Sequence, residues 1–165
     1  MKRRSLQGLI IGALFFCYLM GHAKGNRVND FPLFPGETLT YTVEYMTLEI
    51  ASIRFEVLER VDTLGTTLFH VRAEIISNPK IPLLTVNDKY ESYFDSEFHS
   101  YYYYGEGLTR RFAFRVEGAF DYENRILRAR EFRRRGKDEK LHAEMTKELF
   151  AKIRDALSLF YFLRS

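Results

Sequence analysis

The chain of 165 residues has one cysteine, no tryptophan, four prolines and four histidines. The cysteine, Cys17, sits in an apolar stretch near the N-terminus. Nothing after it can form a disulfide, a thiolate metal site or a cysteine nucleophile. Only His70, His99 and His142 lie beyond residue 23, and no two of them stand at a ligand spacing such as i, i+4. There is no G-x-S-x-G elbow and no phosphate-cradling glycine loop. Asp155 and Ser158 stand one helical turn apart, but with no histidine base in sight a side-chain hydrogen bond on a helix explains them better. The carboxylate pairs Glu44 with Glu49 and Asp88 with Glu91 read as ordinary strand charges. The expectation is a protein that is not an enzyme, with no catalytic residue, metal or cofactor.

The first 23 residues read apart from the rest. Lys2, Arg3 and Arg4 precede the apolar run Leu9–Met20, and small residues follow at Gly21 and Ala23. These are the parts of a secretory signal peptide, with cleavage expected after Ala23. The run is 12 residues long, against about 20 for a spanning helix, so no transmembrane segment is expected in the mature chain. Phe15, Phe16 and Tyr18 around Cys17 argue against lipidation. Three of the 25 basic residues and none of the 22 acidic ones precede Ala23, so the formal charge of +3 belongs to the leader and the mature chain is balanced. That balance gives no reason to expect nucleic acid. The organisation expected is a signal peptide over 1–23, a leader over 24–35 and one β-rich domain over 36–165, exported to the periplasm or envelope.

After Pro32, Pro35 and Gly36, short alternating segments follow one another. Leu39, Tyr41, Val43 and Tyr45 share one face of the first. Ile53, Phe55 and Val57 alternate with Arg54, Glu56 and Leu58 in the second; Phe69, Val71, Ala73 and Ile75 line the third. Asp62–Thr67 carries turn residues, and two prolines make Asn78–Pro82 a loop. Further strands are expected in Asp88–Asp95, Glu97–Tyr104, Leu108–Glu117 and Arg125–Arg133, with a short one near Glu139–Met145. The fold class expected is mainly β: an antiparallel meander forming a curved sheet or half-open barrel, with one C-terminal α-helix. That helix is expected to start at a Thr146 cap, with Glu148 in its first turn and Leu149, Ile153, Leu157 and Phe160 at helical spacing. Its last turns are apolar nearly all round, which predicts burial on more than one side and further strands to cover it.

Tyr101, Tyr102, Tyr103 and Tyr104 are consecutive. In a strand they divide two and two between opposite faces, so they make no single stacking platform. One pair is expected on the core and the other at a partly wet surface. If the wet side is a cavity for an apolar ligand, its lining is Tyr102, Tyr104, Phe112 and Phe114, with Leu157 and Phe160 from the helix. Tyr41, Tyr45 and Phe94 are further aromatics of core or cavity. The arginines between Arg125 and Arg135 offer a second possibility, a polyanion site on Arg128, Arg130 and Arg133. Interleaved Glu117, Glu123, Glu131, Asp138 and Glu139 explain them instead as cross-strand pairs on a solvated face.

Three stretches together resemble an exported bacterial family known only as domain of unknown function 3108. These are "FPGETLTYTVEYMTLEIASIRFEV", the segment from "DKYESYFDSEFHSYYYYGEG" to "FDYENRIL", and "DALSLFYFLR". The likeness runs from about Phe34 to Arg164 and lies in a Gly-Glu opening, a Ser-x-x-Asp turn, a Phe-Asp turn and an Asp-x-Leu-Ser helix. Ala51 and Ser52 stand where the family often has glycine, so the bend of the second strand is expected to differ. The resemblance implies a periplasmic or envelope-facing half-open barrel around the helix, and a copy incomplete at its C-terminus. It implies no activity. The functional expectation is an envelope protein with a binding or structural role, its partner an envelope lipid or protein; the alternative is a periplasmic carrier of a lipid or other apolar ligand.

Overall fold

The computed structural model describes residues 33–63, 65–81, 84–108 and 112–165. The expected signal peptide and all but the end of the leader lie outside the described residues. The sheet, and the helix as far as Leu163, belong to one compact unit.

Eight strands follow in order: β1 (Thr38–Tyr45), β2 (Leu48–Thr63), β3 (Thr66–Ser77), β4 (Asn87–Phe94), β5 (Ser100–Leu108), β6 (Ala113–Asp121), β7 (Ile126–Arg135) and β8 (Asp138–Glu148). Each pairs antiparallel with its sequence neighbour, so spatial order repeats chain order. The strands form the expected meander. The sheet does not close into a barrel: β1 and β8 are its two edges. One helix, α1 (Ala156–Arg164), follows.

The register divides the sheet into two chemically distinct faces. One row of paired residues runs Val57, Val71, Ser92, Tyr103, Gly118, Ala129, Met145 across seven strands. A row on the opposite face runs Arg54, Glu74, Lys89, Glu106, Arg115, alternating in sign at every step. A second charged row runs Glu56, Arg72, Glu91, Tyr104, Glu117, Arg130, Glu144. Opposite charges facing each other across strands are favourable, and they account for most of the arginines without a ligand. The core lies on the apolar face beneath α1, where Phe55, Val57, Val71, Ala73, Phe94, Leu157 and Tyr161 are buried.

Two expectations need correction. Thr146 and Glu148 do not open the helix; they are the end of β8, paired with Arg128 and Ile126. The ladder to β7 holds them extended, and the helix waits for Asp155, whose carboxylate caps it. Nor do Tyr41 and Tyr45 belong to the core: both are exposed at the sheet edge, although Tyr41 keeps edge-on ring contacts with Phe55 and Phe160.

Gly105 is one of the tight points of the apolar face. A Cβ there would stand 2.8 Å from Tyr90 Cδ1 and 3.0 Å from Val116 Cγ2, and the Tyr90 ring lies stacked 6.3 Å from that of Tyr103. Gly105→Ala is expected to lower stability by about 1–3 kcal/mol through overpacking, read as a lower urea midpoint at unchanged slope.

Candidate functional site

A polar cluster fastens α1 to the middle of the sheet. Ser92 Oγ donates to Asp155 Oδ2 at 2.5 Å, while Asp155 Oδ1 accepts the N–H groups of Leu157 (2.8 Å) and Ser158 (3.0 Å) as an N-cap. The Asp155 N–H donates to Ser100 Oγ at 2.8 Å; Ser100 Oγ and Ser158 Oγ are 2.9 Å apart. The Tyr122 hydroxyl donates to the Ser100 carbonyl at 2.6 Å. Ser92, Ser100 and Ser158 are fully buried. The hydroxyls that suggest a nucleophile therefore spend their bonds on one another and on Asp155. His70 and His99 are engaged elsewhere, with Glu59 and Glu91 and with Asp95 and Glu97. Among the described residues no group of three or more His, Cys, Asp or Glu could hold a metal ion.

The six expected ligand-binding residues do not line one cavity. Phe160 stacks on Phe55, ring centres 4.0 Å apart, and Leu157 is buried with it; both are core. Phe114 lies on the apolar face opposite Arg133, and the Arg133 guanidinium covers the Phe112 ring at 4.6 Å. Tyr102 and Tyr104 point to the charged face, because period-two alternation gives the apolar face to Tyr103. Tyr104 donates to Glu106 Oε2 at 2.7 Å; burial, and then that hydrogen bond, push its hydroxyl up to about 12. Tyr102 meets Tyr93 edge-on at 6.1 Å. The residues that sequence reasoning missed are Val116, Phe120, Leu127 and Met145, which join Phe114 on the apolar face of β6–β8. The alternation of Phe114, Val116, Gly118 and Phe120 was the signal available for them.

The three arginines expected to hold a polyanion are also divided. Arg130 pairs with Glu117 at 3.0 Å on the charged face. Arg133 faces the other way and donates to Glu131 at 2.7 Å. Arg128 is exposed on the charged face, opposite Ala119.

On that face Glu91 is the hub. It accepts from Arg72 (3.1 Å), meets His70 at 3.2 Å and pairs with Lys89 at 2.9 Å, while Tyr93 stacks flat on His70 at 4.1 Å. Burial pushes the Glu91 carboxyl up, but the hydrogen bonds from Lys89, Arg72 and His70 outweigh it and hold it below its ordinary value. At one end of the sheet an open groove of about 490 Å³ is lined by Ile76, Asp88, Leu108, Phe114, Arg134 and Glu139 among others. Burial raises the Asp88 carboxyl against the opposing pull of the Leu108 N–H and the Tyr90 hydroxyl.

No protein-family model matches the chain, and neither a curated protein nor a solved structure matches it.

Asp155→Ala removes the cap and leaves the Ser92 hydroxyl without its acceptor. A loss of about 1–3 kcal/mol is expected in urea melts, with dye binding to the bared apolar face; Asp155→Asn, which keeps a cap oxygen, should lose less. Glu91 fixes the sign of the acid response. Its folded pKa is lowered, so its contribution is present above the ordinary value of 4.5 and is lost as pH falls through the folded pKa. The thermal midpoint should drop on that acid limb, and Glu91→Gln should flatten the drop while lowering the midpoint at neutral pH.

Proposed function

We propose that this chain is an exported envelope protein that binds without reacting, holding a lipid or other apolar ligand against the β6–β8 part of its apolar face. The observation that carries this reading is an apolar patch away from the core, bordered on its own face by the Glu131–Arg133 pair and Lys147. Phe114, Val116, Phe120 and Leu127 stand side by side on β6 and β7 and are half-exposed, and Met145 beside them on β8 is exposed. Apolar area of this kind left in water marks a binding surface. The ring contacts of α1 with the sheet run to Tyr41, Phe55 and Phe94 on β1, β2 and β4, at the other side of the sheet. A non-enzymatic role is supported by hydroxyls and carboxylates that satisfy one another in the helix-docking cluster.

Export rests on Lys2, Arg3 and Arg4 before the apolar run Leu9–Met20, with small residues at Gly21 and Ala23. Kinship with the 3108 family is part of the same proposal and rests on the Ser-x-x-Asp and Asp-x-Leu-Ser segments. The polyanion reading has less support, since Arg130 and Arg133 are engaged with Glu117 and Glu131 on opposite faces.

Mass spectrometry of the protein purified from its own envelope without detergent is expected to detect a stoichiometric lipid. Val116→Lys should abolish it, and Ala119→Lys, on the charged face, should leave it in place. A lipid-free wild type overturns the reading.

A further inference from the structure

A meander sends alternate connections to opposite ends of the sheet, so β1–β2, β3–β4, β5–β6 and β7–β8 turn at one end and the remainder at the other. The first end gathers Tyr45, Met46, Leu48, Ile76 and Leu108, all exposed, with Met46 at 83% and Tyr45 at 65%. We propose that this end of the sheet docks on an anionic lipid bilayer, with the β1–β2 tip entering the interface. This goes beyond the ligand reading and does not depend on it.

The tip breaks the rules of its own turn. Met46 and Thr47 stand at φ 49° and 70°, the left-handed region that two-residue hairpins normally fill with Asn-Gly. The turn thus accepts strain while it presents an exposed methionine between Tyr45 and Leu48, and strain kept in the backbone is characteristic of functional sites. Tyrosine beside aliphatic side chains is the composition of a membrane interface.

Basic residues share this end. Lys80 lies in the β3–β4 connection, and Arg134, Arg135 and Lys137 surround the β7–β8 turn at Gly136. Among the described residues Lys80 and Lys137 make no salt bridge, which leaves their charge for phosphate head groups. The acidic residues here do not oppose insertion of the tip itself. Glu44 and Glu49 are paired one residue behind Tyr45 and Leu48, while Glu139 and Asp138 face Arg134 and Arg135. A protein partner fits this end less well. A two-residue tip offers far less than the roughly 800 Å² per partner that a stable protein interface takes, whereas interfacial insertion needs only apolar tips beside basic ones.

The absence of tryptophan supplies the test. Met46→Trp makes the tip the sole indole of the full chain, Leu108→Trp marks the same end, and Phe150→Trp marks the opposite end, where Phe150 is 90% exposed. Each is mixed with vesicles of phosphatidylglycerol and phosphatidylethanolamine, and with vesicles of phosphatidylcholine alone. The expected result is a blue shift for Met46→Trp and Leu108→Trp with the anionic vesicles, lost at high salt, and none for Phe150→Trp. Three results overturn the proposal. No shift at Met46 or Leu108 with any vesicle would assign this end to a protein partner. An equal shift at Phe150 would show contact that is not directed by this end. A shift with phosphatidylcholine that is as large and insensitive to salt would remove the role of the basic residues.

Discussion

The Asp155 carboxylate is the point on which the molecule turns. One oxygen takes the Ser92 hydroxyl from the centre of the sheet, and the other caps the helix that follows. Both bonds come from one short side chain, so the helix start and its seat on the sheet are fixed together. Without that tie Phe160 has no reason to lie flat on Phe55, nor Tyr161 to reach Phe94. The apolar face beneath would then meet water across β1 to β4. Three buried serines allow close approach at this junction, and each has a partner for its hydroxyl, which a buried polar group requires.

The opposite face is built on other terms. Rows that alternate in sign, such as Arg54, Glu74, Lys89, Glu106 and Arg115 across β2 to β6, pair their charges from strand to strand on that side. Arg115 reaches Glu117, Glu139 and the Phe132 ring together, so one guanidinium links three strands. Individual surface pairs of this type contribute little to stability. Their larger effect is on register, because a slip by one residue would carry charges into the apolar face.

The division of faces was legible wherever alternation ran unbroken. Ile53, Phe55 and Val57, then Phe69, Val71, Ala73 and Ile75, lie on the face that the period-two reading gave them. The alternation of Tyr102, Tyr103 and Tyr104 was legible as well, but not which side each takes, which their pairing with Tyr93, Ser92 and Glu91 decides. The register shift beside Phe94 leaves Tyr101 unpaired, and no local pattern announces a bulge. The helix start was misread because Thr146 and Glu148 make a plausible cap and first turn in isolation. Pairing with β7 overrides that local preference, and the real cap, Asp155, gains its partners from Ser92 and Ser100, more than fifty residues earlier in the chain. The apolar patch of β6–β8 is harder to read, because Glu131 and Arg133 on β7 interrupt the alternation that Phe114, Val116 and Phe120 keep on β6.

Serial pairing also bears on how the chain acquires this structure. Every strand finds its partner among its immediate neighbours, so each step closes a short loop and costs little entropy. The contacts of the helix are the exception, among them the bond from Ser92 to Asp155, spanning 63 residues, and the stack of Phe160 on Phe55. Almost the whole ladder can therefore assemble hairpin by hairpin before the residues that seal its core have been made. During that interval Phe55, Phe94 and their neighbours face solvent, and the last step, arrival of the helix, turns an exposed sheet into a packed one.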